Sequence, residues 1–152
     1  MDTMDTNTIF DDENVKAPEE ITPISAESSA KGRRPYLTWS VNGNEYKLKL
    51  TTGIIRKLEQ TLKTSLLNAV LEDGVPPMGT VVTLLQAAMQ KYHHGIKSYT
   101  VEGIIDDYLD SGGSQMSLLI DVIYPLMYDA GFFTEAMLTA ITKEIKEMDT
   151  TL

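Results

Sequence analysis

Residues 36–50 alternate apolar and polar side chains on either side of an Asn-Gly pair, which is the pattern of a two-stranded β-hairpin. Asn42 and Gly43 suit a two-residue type I′ turn because both residue types tolerate positive φ. That turn pairs Trp39 with Tyr46 and places one apolar set on a single face: Leu37, Trp39, Tyr46, Leu48 and Leu50. An isolated hairpin is only marginally stable in water, so we expect this face to pack against the rest of the chain.

From Thr52 onward the apolar residues recur at helical spacing, and we expect a mainly α domain. A break at Lys63-Thr64 separates two helices, with Leu66, Leu67, Val70 and Leu71 continuing the apolar stripe. The later helices are expected to start at Thr80, at Thr100, at Ser114 or Ser117, and at Thr134. Pro125 should kink the helix that contains it near Asp121. The sequence thus predicts five to six helices with one N-terminal β-hairpin.

The first part of the chain has a different composition. Residues 1–31 hold eight acidic and two basic side chains, a net charge of −6, whereas residues 32–152 hold 14 acidic and 11 basic ones. Few apolar groups are available there to offset the entropy lost on ordering. We therefore interpret residues 1–34 as a disordered acidic tail and linker, and residues 35–152 as the helical domain with its hairpin.

The composition also limits which kinds of partner the protein can have and where in the cell it can be located. A net charge of −9 without a broad basic face argues against nucleic acid as a partner. Cysteine is absent, which excludes disulfides and thiolate chemistry. No apolar run reaches the roughly 20 residues of a membrane span. We expect a soluble, cytoplasmic protein that does not bind a membrane.

Catalytic signals are weak. The adjacent His93 and His94 would point about 100° apart on a helix, so they are better explained by a helix C-terminus than by a shared metal. Asp106, Asp107 and Asp110 fit a solvated acidic face. Glu59 has no second carboxylate for acid–base work and is expected to pair with Lys63 one helical turn later. We expect no enzyme activity, no cofactor and no metal.

The order of elements resembles a known family. A short hairpin, a threonine-capped helix bearing Leu58-Glu59 and a second amphipathic segment at residues 65–71 resemble the tail assembly chaperones of long-tailed bacteriophages and prophages. The pattern is also similar to small tail proteins of gene transfer agents, and it extends over residues 36–133. The resemblance implies a late viral protein that binds and solubilises the tape measure protein and recruits tail tube subunits in the cytoplasm of the bacterial host. It also implies that the protein is absent from the mature virion.

Partner contacts are expected in the last third of the chain, where methionine is frequent, because flexible thioethers suit adaptable apolar surfaces. The predicted contact residues are Met127, Phe133, Met137, Ile141 and Met148. Two further partners are compatible with the sequence: a second copy of the chain, and a longer product made by ribosomal frameshifting.

Two alternatives belong to other functional classes. One is a structural virion component, either a tail terminator or a head–tail connector. The other is a small acidic regulator or inhibitor of a host protein, whose active part would be the acidic tail. Deleting residues 1–31 separates the regulator from the chaperone, because the chaperone interpretation needs only the helical domain.

Overall fold

A computed structural model describes residues 33–72 and 74–151, beginning with the predicted hairpin. Strand β1 (Leu37–Val41) pairs antiparallel with β2 (Asn44–Leu48), and Trp39 lies opposite Tyr46. The two turn residues have φ angles of 51° and 80°, as a type I′ turn requires. The predicted turn and register are therefore confirmed, while the predicted tail, residues 1–34, lies almost wholly outside the described residues.

Helical segments make up most of the chain after the hairpin. They are α1 (Thr52–Leu62), α2 (Leu66–Leu71), α3 (Met78–Met89), α4 (Ser98–Asp110), α5 (Gln115–Leu118), a π-helical turn (Leu119–Ile123), α6 (Tyr124–Asp129) and α7 (Glu135–Thr151). Because α5, the π-helical turn and α6 are continuous, they form one interrupted helix. The predicted mainly α fold of five to six helices with one hairpin is confirmed.

Most helix starts follow from side-chain caps. The hydroxyls of Thr51, Ser65, Ser114 and Thr134 each accept a hydrogen bond from a backbone N–H of the first helical turn. Two predicted starts were wrong. The third helix begins at Met78 behind Pro77, two residues before Thr80, and the fourth begins at Ser98, before Thr100. Proline ahead of a helix pre-sets the backbone without a side-chain cap, which explains the first of these errors.

The kink predicted near Asp121 takes the form of the π-helical turn. Within it the N–H of Tyr124 donates to the carbonyl of Leu119, five residues earlier. Pro125 comes directly after Tyr124 and has no N–H to continue the ladder. The wider turn lets the chain pass the proline ring without ending the helix.

The core joins the hairpin to the helices. β2 packs on α3, and β1 packs on α4 and α6. The Trp39 ring, 3% exposed, lies 6.3 Å from the Tyr46 ring and 5.8 Å from the Tyr108 ring. Leu67, which was predicted to continue the apolar stripe, is instead exposed, and Tyr92 is exposed as well. α2 is a short helix that buries only Leu66 and Val70, and Tyr92 lies beyond the end of α3.

None of the helices in the described ranges combines the length and the apolar character that crossing a membrane would need.

Candidate partner-binding surfaces

Two of the five predicted contact residues lie in the core. Met127 is fully buried in α6, and Phe133 is 2% exposed, with its ring edge-on to Tyr124 at 6.4 Å. The position of Phe133 follows from the turn at Gly131, whose φ is 95° and after which the N–H of Phe132 donates to the carbonyl of Met127. Neither Met127 nor Phe133 is available to a partner in this conformation.

The other three residues lie on α7. Leu138, Ile141 and Ile145 form its buried stripe, so Ile141 is half-buried against the core. Met137 lies one residue away from that stripe and is 49% exposed. The side chain of Met148 is outside the described residues. Among the four members of the predicted set whose side chains are described, Met137 is the exposed one.

A second apolar surface was not anticipated from the sequence. An open groove of about 440 Å³ runs between α1 and α3. Its apolar lining is Ile54, Leu58 and Ala87, and its polar lining is Lys57, Thr61, Thr83, Gln86 and Gln90. The two helices are separated by α2 and a loop, so only the tertiary fold brings their side chains together. A helical pattern identifies the inward face of each helix but not the gap between two of them.

The groove has an unusual charge environment for an acidic chain. Lys57 is the charged residue among its lining side chains, and residues 74–101, which include the whole of α3, contain neither Asp nor Glu. Acidic groups of a partner would meet no carboxylate from α3. The groove can therefore accept an apolar helix face that is flanked by acidic side chains.

The polar groups that close the end of α3 are tied together by hydrogen bonds. The Gln90 side-chain amide donates to the carbonyls of Gln86 and Ile96, and its oxygen accepts from the N–H of Gly95. These bonds hold the chain between α3 and α4 beside the end of the groove. Gln86 and Gln90, which line the groove, are thus also bonded to the chain that follows α3.

His93 has a structural partner that the sequence did not suggest. Its Nε2 accepts a hydrogen bond of 3.0 Å from the backbone N–H of Lys47, and its ring lies 5.6 Å from Tyr46. The N–H of His93 also donates to the carbonyl of Met89, the last residue of α3, so His93 does lie at a helix C-terminus, as predicted. His94 is exposed and takes no part in this contact.

The acidic residues that were considered as candidates for chemistry have structural or solvent-exposed positions. Glu59 Oε2 accepts a 2.7 Å hydrogen bond from the N–H of Leu66, so the carboxylate caps α2 instead of pairing with Lys63 as predicted. Asp106, Asp107 and Asp110 are all exposed on α4. Within residues 33–72 and 74–151, no three side chains of the metal-ligating types come together.

Comparison with known proteins places this arrangement in a family. No curated protein and no solved structure matches the chain. One family profile does match, over residues 36–152, which covers the hairpin, both sides of the groove and the helices that form the core. The chain belongs to that family, DUF6096, a family of unknown function.

Proposed function

We propose that this protein is a tail assembly chaperone of a bacteriophage or prophage. It binds and solubilises the tape measure protein, recruits tail tube subunits around it, and leaves before the virion is complete. The proposal starts from the resemblance across residues 36–133. The proposed activity is protein binding, and it involves no chemical reaction. Its place of action is the cytoplasm of the bacterial host.

The observation that carries the proposal is the open groove between α1 and α3. A tape measure protein is a long chain whose amphipathic helices aggregate when their apolar faces meet water. Ile54, Leu58 and Ala87 offer an apolar floor for one such face, in the helix-in-groove mode of recognition. Met137 on α7 offers a second, smaller apolar contact.

The polar rim of the groove suits a partner that must later be released. Thr61, Thr83, Gln86 and Gln90 surround the floor, and they bind less strongly than large aromatic anchors would. A modest interface lets tube subunits replace the chaperone along the tape measure protein. Several chaperone copies would then cover one long helix, each through the same groove.

Co-expression with the tape measure protein of the same phage tests the proposal. Alone, the tape measure protein should aggregate; with the wild-type chain, it should stay in the soluble fraction and co-purify. Ala87→Glu places a carboxylate on the groove floor and should abolish rescue. Gly103→Glu makes the same change of charge on α4, where an added Cβ meets nothing within 4 Å, and should rescue as wild type does.

Met137→Asp separates the two surfaces. Rescue that survives Met137→Asp but not Ala87→Glu assigns binding to the groove, whereas the reverse assigns it to α7. Met137 is preferred to Ile141 for this purpose because Ile141 packs against the core and its replacement would disturb folding. If the wild-type chain neither rescues nor binds the tape measure protein, the proposed function is wrong.

The acidic N-terminal sequence favours a second candidate, a regulator that occupies a basic site on a host protein. Residues 1–31 carry a net charge of −6. A chain that lacks these residues should rescue the tape measure protein fully if the chaperone proposal is right. Loss of all activity on that deletion would favour the regulator.

A further inference from the structure

A cluster of tyrosines and lysines lies where β2 meets the end of α3. The Lys47 Nζ atom is 4.8 Å from the centre of the Tyr36 ring and 5.7 Å from that of Tyr92. The Tyr36 and Tyr92 rings meet edge-on at 5.5 Å, and Lys91 Nζ lies 6.0 Å from the Tyr92 ring. We call these four residues the tyrosine–lysine cluster. Both lysines are exposed, and Tyr92 is 36% exposed.

The cluster is positive although the chain is negative. The acid-free residues 74–101 contribute Lys91, and Lys97 follows six positions later in the chain. The outward face of β2 contributes Lys47. The strand has one acidic residue, Glu45, which lies next to the turn. Asp129, which lies on α6, is already paired with Arg34 at 3.0 Å. The local charge is therefore opposite in sign to the net charge of −9.

The backbone beneath the cluster is held in place. The N–H of Lys47 donates to His93 Nε2 at 3.0 Å, and the N–H of Lys49 donates to the carbonyl of Ala88 at 2.9 Å. These two bonds attach the outer edge of β2 to α3 and to the residues just after it. The backbone of Lys47 is consequently held beside the end of α3 before a partner binds, so its ordering costs no entropy on binding.

From this geometry we propose that the tyrosine–lysine cluster is a docking surface for an acidic polypeptide segment whose carboxylates alternate with apolar or aromatic side chains. Carboxylates bind the ammonium groups of Lys47 and Lys91, since contact with a ring face leaves the ammonium able to donate hydrogen bonds. The interleaved apolar side chains pack on the exposed part of Tyr92. Tyrosine is enriched in protein interfaces and in the residues that contribute most to binding.

A polypeptide fits this surface better than a nucleic acid does. The cluster offers two lysines, whereas affinity for a polyphosphate grows with the number of phosphates that are neutralised. The acidic remainder of the chain also repels a long polyanion. A short acidic peptide places its few charges only where the lysines are. This inference does not depend on the proposed chaperone function.

The test uses a fluorescent peptide of alternating Glu and Leu, and measures its binding to the full chain by fluorescence anisotropy at low salt. The control peptide has Gln in place of each Glu. The wild-type chain should bind the Glu peptide at least about tenfold more tightly than the Gln peptide. The double variant Lys47→Glu/Lys91→Glu should lose at least about tenfold in affinity for the Glu peptide. The matched control Arg56→Glu/Lys63→Glu changes the net charge equally on α1 and at its end, and should bind as wild type does.

Tyr92→Ala supplies a second variant that leaves the charges in place, and it should weaken binding of the Glu peptide several-fold. Circular dichroism of each variant confirms that it folds. The proposal is overturned if the wild-type chain shows no preference for the Glu peptide, or if both double variants weaken binding equally. It is also overturned if a single-stranded RNA oligomer binds through Lys47 and Lys91 more tightly than the peptide.

Discussion

The backbone N–H of Lys47 donates a 3.0 Å hydrogen bond to Nε2 of His93, a residue 46 positions away in the chain. The bond closes the outer edge of the two-stranded sheet, where an unpaired N–H would otherwise face solvent or another chain. His93 therefore joins the hairpin to the end of α3.

His93→Ala should lower the free energy of unfolding by about 1 kcal/mol, since water replaces the lost acceptor only in part. His93→Gln should lose less, because its side-chain oxygen can accept from Lys47. Urea titration followed by circular dichroism measures both changes. A His93→Ala chain as stable as wild type would show that the bond contributes nothing to stability.

Glu59 stabilises the start of α2. Its Oε2 lies 2.7 Å from the N–H of Leu66, so Glu59→Ala should cost about 1 kcal/mol, as the loss of other N-terminal caps does. Lys63→Gly removes the alternative ion-pair partner and suits the φ of 64° at this position, so it should not lower stability. Urea unfolding measures both variants. If the two lose the same amount of stability, Glu59 and Lys63 form an ion pair after all.

Trp39 anchors the hairpin to the helices. Its ring is 3% exposed and touches Tyr46 and Tyr108, so Trp39→Ala should cost about 3–5 kcal/mol. Trp39→Phe keeps an aromatic ring and should cost less. Thermal unfolding followed by circular dichroism is the measurement. An unchanged melting temperature for Trp39→Ala would mean that the hairpin is not coupled to the helical core.

Two glycines should respond oppositely to alanine. A Cβ at Gly113 would overlap the Tyr108 ring, whose hydroxyl shares a 2.6 Å hydrogen bond with Ser117, so Gly113→Ala should cost roughly 1–3 kcal/mol. A Cβ at Gly103, inside α4, meets nothing within 4 Å, so Gly103→Ala should add about 0.5–1 kcal/mol. Differential scanning calorimetry measures the melting temperature of each variant. Shifts of the same sign in the two variants would contradict the prediction.

Tyr124 links stability to alkaline pH. Burial chiefly, and Glu144 secondarily, raise the pKa of Tyr124 above its ordinary value of 10.0. The unfolded chain therefore releases this proton first, so titration of Tyr124 leaves the free energy of unfolding unchanged below about pH 10 and lowers it as the pH rises above that value. Tyr124→Phe should make the alkaline loss of stability shallower. Urea unfolding at about pH 7 and about pH 11 measures the difference.

The same variant tests the buried hydroxyl itself. Tyr124 Oη is buried with no hydrogen-bond partner in the described part of the chain, so Tyr124→Phe should raise stability at neutral pH by about 1 kcal/mol. Tyr99→Phe is the control, because Tyr99 is 72% exposed and should leave both values unchanged. A marked loss in Tyr124→Phe would mean that the hydroxyl has a partner such as water.

Local features of the chain were predicted well because their causes are local. The Asn42-Gly43 turn sets the hairpin register through two residues, and the alternation around it identifies Trp39 as a core residue. Thr51 and Ser114 cap their helices through side chains that reach only three residues along the chain. Pro125 disturbs its helix wherever that helix packs.

The tertiary structure decided which surfaces remain for partners. Met127 and Met137 share a residue type and an apolar periodicity, yet packing buries the first and leaves the second 49% exposed. The groove, the capping role of Glu59 and the contact of Lys47 with Tyr36 and Tyr92 each join residues whose separation along the chain does not reveal their distance in space. Periodicity determines which face of an element is apolar, but only the packing of all elements together determines how much of that face is covered.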